Sequence, residues 1–140
     1  MPGTVLLVED EDQVKRLVTK ILEMGGYSVL SADSSAEALI LSDGHPGHID
    51  LLLVDVELDK HMNGNELAKH LRRTRPGMRV LYTSGYPLDC CVEYGGAKIR
   101  KEIQELMAAF LPKPFTPSVL TENVRRALAD LPGHSISARL

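Results

Sequence analysis

Glu9-Asp10, Asp55, Thr83-Ser84 and Lys113 each stand at or just past the end of a short apolar run. Acids gathered in one place repel one another and raise each other's pKa unless a cation joins them. Mg²⁺ suits such a place, because it is a hard ion that takes few protein oxygens and keeps several waters. A hydroxyl from Ser84 or Thr83 adds a hydrogen-bond donor, and Lys113 adds an ammonium. Together these groups make a phosphoryl-transfer site. Asp55 is the nucleophile, the cation and Lys113 neutralise charge, and the hydroxyl bonds a phosphoryl oxygen. Gly85 leaves room for a phosphodonor. Taken singly, each acid reads as a helix N-cap or loop residue. Their joint placement is what is specific.

These positions converge only in a parallel α/β sheet, and the apolar pattern predicts one, with short apolar runs alternating with stretches at helical period. Residues 5–8 predict a first strand. Val14, Leu17, Val18, Ile21 and Leu22 follow at helical spacing, stopped by Gly25-Gly26. Residues 27–31 predict a second strand, after which Asp33 or Ser34 caps a short helix carrying Ala36, Leu39 and Ile40. Past a loop at 44–47, residues 49–56 contain the most apolar strand, with Asp55 at its carboxyl end. Asn63-Gly64 leads into a helix through Leu67, Ala68 and Leu71, stopped near Pro76-Gly77. Residues 80–83 and 108–111 predict the fourth and fifth strands, and Val119, Leu120, Val124 and Leu128 mark a last helix. Residues 87–106 predict one broken helix or two short ones divided at Gly95-Gly96. The fold expected is α/β: a doubly wound five-stranded parallel sheet in the flavodoxin-like order 2-1-3-4-5, with helices on both faces. Ligands of such sheets bind at strand carboxyl ends. Strands one and three are then neighbours, which brings Glu9-Asp10 beside Asp55.

At 140 residues the chain suits one domain. Residues 1–130 carry the pattern, and 131–140, with Pro132 and Gly133, read as a tail or linker. The net charge of −3 speaks against nucleic acid as the main partner, since phosphate backbones call for a basic face. Two short basic runs, Arg72-Arg73 with Arg75 and Lys98 with Arg100-Lys101, read as solvated helix surface. Cys90 and Cys91 are adjacent, a spacing that rarely forms a disulfide, so they suggest a reducing compartment; they read as buried thiols or ordinary surface residues, with a redox role as the alternative. The five histidines show no ligand spacing. There is no signal-peptide pattern and no apolar run near the roughly 18 residues of a membrane span, so a cytoplasmic protein is expected.

Three segments resemble the receiver domains of two-component response regulators. Leu7-Val8-Glu9-Asp10-Glu11 is similar to the family's acidic-pair segment, residues 49–55 to its phosphoacceptor strand, and Leu111-Pro112-Lys113-Pro114-Phe115 to its lysine motif, whose Lys-Pro bond is typically cis. The likeness spans residues 4 to about 130. It implies that Asp10, Asp55 and the backbone carbonyl of Glu57 hold Mg²⁺, with Glu9 acting mainly through water. It also implies a switch in which a hydroxyl moves toward the phosphoryl group and an aromatic on strand five, Phe110, follows. Ser84, at the strand tip, is preferred for that hydroxyl, with Thr83 as the alternative. Phe110 reads equally as core packing. Asp50 lies where its strand begins and is not the acceptor.

The chain departs from the family at Asp59, where a proline is usual, and by one extra residue between Asp55 and Gly64. The Met62-Asn63-Gly64-Asn65-Glu66-Leu67 and Thr83-Ser84-Gly85-Tyr86 segments resemble receivers joined to hybrid histidine kinases. Family experience places control of phosphoryl lifetime at Glu57 and Tyr86, and Glu57 and Asp59 otherwise read as exposed loop acids. The long 87–106 segment means that partner choice cannot be copied from the family. The function expected is a phosphoacceptor switch in a phosphorelay rather than an enzyme. Its donor would be a histidine kinase or a histidine phosphotransfer protein, and its output would come through protein contacts, because no effector motif follows residue 130. The downstream partner is open, as is homodimer formation. Two other readings stay open: an unphosphorylated docking module of the same fold, and a haloacid-dehalogenase-like phosphatase with Glu57 where a second aspartate is usual.

Overall fold

The computed structural model describes residues 3–55, 64–84, 109–112 and 114–129. In chain order these form β1 (Thr4–Val8), α1 (Asp12–Met24), β2 (Ser28–Ala32), α2 (Ser35–Gly44), β3 (Leu51–Asp55), α3 (Gly64–Thr74), β4 (Arg79–Ser84), β5 (Ala109–Pro112) and α4 (Pro117–Ala129). The five strands are all parallel, in the order β2-β1-β3-β4-β5, as the pattern predicts. The helix or helices predicted for 87–106 lie outside the described residues.

β1 and β3 are the central strands, and every residue of Val5 to Val8 and Leu51 to Asp55 is buried. This is why they read as continuous apolar runs rather than alternating ones. Their side chains nevertheless alternate in destination. Leu6, Val8, Leu52 and Val54 pack with Val80 and Tyr82 beneath α2 and α3. Val5, Leu7, Leu51 and Leu53 pack with Leu81 and Leu111 beneath α1 and α4, through Val18, Leu22, Leu120 and Val124. Each fully buried leucine contributes roughly 1.5–3 kcal/mol of apolar burial. β2, at the edge, is half-exposed and carries Ser28 and Ser31 on its open positions.

The helix ends follow from local chemistry. α1 closes in a Schellman motif: Gly26 N donates to Glu23 O (3.0 Å) and Tyr27 N to Leu22 O (3.1 Å), with Gly26 at φ 94°. Tyr27 and Leu22 then meet in the same apolar cluster. Of the two caps offered for α2, Ser34 is the one used, its hydroxyl accepting from Glu37 N at 3.2 Å, while Glu37 Oε1 accepts from Asp33 N at 2.6 Å. α4 starts with Thr116 accepting from Val119 N, and with Pro117 in its first position, where the missing N–H costs nothing.

Two details differ from the sequence-based expectation. Of Ala36, Leu39 and Ile40, only Leu39 packs against the core on α2. Ser35, Ala38 and Ser42 are the buried positions and Ile40 is 70% exposed, so small residues let this short helix lie close to the sheet. Nor is Arg75 merely solvated surface. Its guanidinium donates to Ser42 Oγ (2.9 Å), Ser42 O (2.8 Å), His45 O (2.9 Å) and Gly47 O (2.8 Å). It thereby ties the end of α2 to the loop that follows it, adding to the His45 N–H donated to Ser42 O.

At the amino-terminal edge of the sheet the strand starts are tied in a row. Ser28 N donates to Gly3 O, Thr4 N to Asp50 Oδ2 (2.8 Å), Asp50 N to Thr4 O (2.9 Å), and Arg79 N to Asp50 O (2.9 Å). Asp50 is thus a structural anchor, about 16 Å of strand away from the carboxyl end that carries Asp55.

Gly26→Ala should lower unfolding stability by about 1–2 kcal/mol, because alanine is strained at positive φ. Arg75→Ala should cost about 2–3 kcal/mol, and Arg75→Lys should recover little of it, since an ammonium cannot reproduce the four-bond fork. Urea denaturation with an unchanged slope is the measurement for all three variants.

Candidate functional site

Because β1 neighbours β3 in parallel register, with Val8 beside Val54, the residues after Val8 and the last residue of β3 meet at one end of the sheet. There Glu9, Asp10 and Asp55 each place a carboxylate oxygen within 4.8 Å of the other two. Glu9 is 3% exposed and Asp55 8%, whereas Asp10 faces solvent. Glu9 is held by its own backbone, with N donating to Ala32 O on β2 (3.1 Å), and by its Oε2, which accepts from Glu11 N (3.1 Å).

Two ionised carboxylates at this separation repel by about 3–4 kcal/mol at an effective dielectric near 20. An octahedral Mg²⁺ with oxygens about 2.1 Å away sets its ligand atoms about 3–4 Å apart. The observed spacing fits one such ion, with a carboxylate reaching it through water. The donor set is all oxygen, and it contains no histidine or thiol that would favour a softer metal.

The tips of β4 and β5 follow β3 in register at the same end of the sheet. Thr83 is the register partner of Asp55 on β4 and is 5% exposed, and Ser84 is the last residue of that strand. Ser84 in turn pairs in register with Pro112, the last residue of β5, and Lys113 follows directly in the sequence. Phe110 occupies β5 beside Tyr82. Lys113, Glu57, Tyr86, Gly85, Asp59, Cys90 and Cys91 lie outside the described residues, so the structure brings together the acids and the tips of β4 and β5.

Two features of this end had no sequence signal strong enough to single them out. A further acid, Asp33, follows β2, and its carboxylate forms an ion pair with Lys15 of α1, which also lies 3.9 Å from Asp12. The Asp33 hydrogen bond holds the Lys15 ammonium above the usual lysine pKa. Asp33 therefore has a cation of its own and does not join the carboxylate cluster. The second feature is a contact between two buried polar side chains: Tyr82 Oη donates to Asn65 Oδ1 at 3.3 Å. A tyrosine within an apolar strand reads as core, and only its neighbour across 17 residues reveals the hydroxyl's role.

A parallel sheet of this order with an acid pair on one strand tip and a lone aspartate on the next defines a doubly wound receiver architecture. The chain matches the response regulator receiver domain family over residues 5–125 and belongs to it. It is 36% identical over 126 residues to the sensor kinase CckA of Brucella abortus (strain 2308), covering 90% of this chain and 12% of the kinase. The crystal structure of the receiver domain from the hybrid histidine kinase CckA superposes with a TM-score of 0.70 at 34% identity, covering 90% of this chain and 99% of that one. A CheY-like receiver from Methanospirillum hungatei JF-1 superposes with a TM-score of 0.78 at 26% identity, covering 92% and 95%. The chain spans less than half the length of the transcriptional regulators it also matches. Receiver domains of two-component systems are phosphoacceptors that bind Mg²⁺ at an acidic pocket and interact with histidine kinases or phosphotransfer proteins; they are generally not enzymes. Among the described residues no helix is long and apolar enough to cross a membrane.

Asp55→Asn removes one charge from the cluster and should raise the melting temperature in chelator by several degrees. Added Mg²⁺ should raise the melting temperature of the parent protein and leave that of Asp55→Asn nearly unmoved. Thermal denaturation in EDTA and in millimolar Mg²⁺ tests both expectations.

Proposed function

We propose that this domain is a Mg²⁺-dependent phosphorelay switch in which Asp55 takes a phosphoryl group from a phosphohistidine and thereby changes the domain's protein contacts. The observation that carries the reading is the cluster of Glu9, Asp10 and Asp55, with Asp55 itself buried at a strand tip. An Asp55 oxygen attacks phosphorus in line, the P–N bond of the phosphohistidine breaks, and the imidazole leaves with a proton. Asp10, Asp55 and the backbone carbonyl of Glu57 would hold the ion, with Glu9 acting through water. The bound ion supplies charge neutralisation at the phosphoryl oxygens.

Lys113 adds a second positive charge there, and the Ser84 hydroxyl donates to a phosphoryl oxygen, with Thr83 as the alternative donor. Phe110 and Ser84 carry the rearrangement outward along β5 and β4. Glu57 and Tyr86 set how long the acyl phosphate survives attack by water, which regenerates the carboxylate and returns the switch to rest. The donor is a histidine kinase or a histidine phosphotransfer protein, and residues 131–140 act as a tail or linker.

Incubation with Mg²⁺ and acetyl phosphate should add one phosphoryl mass, 80 Da on the scale of intact-protein mass spectrometry, to the parent and none to Asp55→Asn. Lys113→Ala should slow loss or gain of the group by at least about tenfold, as removal of one electrostatic stabiliser implies. An unmodified parent protein would leave a docking module of the same fold. Continuous phosphate release from many phosphoesters would indicate a phosphatase.

A further inference from the structure

Tyr82 is wholly buried in the apolar cluster beneath α2 and α3, yet it carries a hydroxyl into it. Asn65, the acceptor of that hydroxyl, is 3% exposed in the first turn of α3. If only stability were at stake, phenylalanine facing an apolar residue would fill the same volume with no polar atoms to satisfy. The two groups are also placed at particular points of the chain. Tyr82 is the register partner of Val54, the residue before Asp55, and stands two residues before Ser84 on the same strand. Asn65 stands at the start of the helix that receives the chain after Asp55. The bond therefore joins the strand leading to the hydroxyl position with the far end of the segment leading away from the nucleophile. At 3.3 Å it is also longer than the usual O–H···O bond of about 2.7–2.8 Å, which marks it as a weak bond.

We infer that the Tyr82–Asn65 hydrogen bond is a latch that holds the tip of β4 against the start of α3 in the unphosphorylated domain and opens when Asp55 is modified. Tyr82 and Asn65 are positioning residues, acting on the site only through β4 and α3. The inference rests on the phosphoacceptor reading of Asp55. A bond made only in the resting state lowers the population of the switched state, so removing it raises the apparent affinity of any ligand that selects the switched state.

Beryllofluoride, which mimics the phosphoryl group on an aspartate, serves as the probe. With Mg²⁺ present, its dissociation constant is measured by calorimetry for the parent, Tyr82→Phe, Asn65→Ala and the double variant. Ser42→Ala, which loses a hydrogen bond to Arg75 at the other end of the sheet, controls for general destabilisation. Tyr82→Phe and Asn65→Ala should each bind about threefold to tenfold more tightly, the range one neutral hydrogen bond sets. The double variant should bind no more tightly than the better single one, and Ser42→Ala should bind like the parent. Unchanged or weaker binding by Tyr82→Phe, or an equal gain in Ser42→Ala, overturns the latch while leaving Asp55 as acceptor. Absence of binding by the parent itself overturns both. Should Tyr82→Phe fail to fold, Asn65→Ala carries the same comparison.

Discussion

Everything at the chemical end of this domain depends on one unfavourable interaction, the mutual repulsion of carboxylates that the sheet forces together. β1 and β3 are neighbouring strands buried on both faces, and their parallel pairing brings the acids to one end of the sheet. The apolar clusters on either side of the sheet supply the stability that holds the charges in place. A cation bound there would turn the same arrangement from a cost into a binding site. The chemistry thus sits at the end of well-packed strands whose apolar residues hold the acids together.

The fold was legible in the sequence to the extent that burial alone dictates it. Continuous runs such as Leu51-Leu52-Leu53-Val54 read as strands covered on both faces, their alternation with helical stretches points to a doubly wound sheet, and the flavodoxin-like order of such a sheet brings Glu9 and Asp10 beside Asp55. Reading failed where small or polar residues do the packing. α2 turns Ser35, Ala38 and Ser42 inward, with Leu39 packing only partly against the core and Ile40 left exposed. Periodicity of large apolar residues is blind to such a face. Arg75 was opaque for a related reason: its partners are backbone carbonyls, and every residue type offers one.

The candidate site was legible by type and place and less so by connection. The acids announce themselves by standing after apolar runs. The Lys15–Asp33 pair and the Tyr82–Asn65 contact join residues from different elements, and no spacing along the chain encodes them. Such cross-element contacts distinguish one member of a fold from another. They also separate the acids at this end into two groups, one that shares a site and one, Asp33, that is neutralised in place.

The row of bonds through Gly3, Thr4, Asp50 and Arg79 has a consequence for how this fold can diversify. Strand register is fixed at the end of the sheet away from the chemistry, so it does not depend on the length of the connections at the other end. The additional residue between Asp55 and Gly64 can be accommodated in that connection without sliding β3 against β1 or displacing the acid tips. A loop at the chemical end can therefore change length without altering the register that sets the carboxylates side by side.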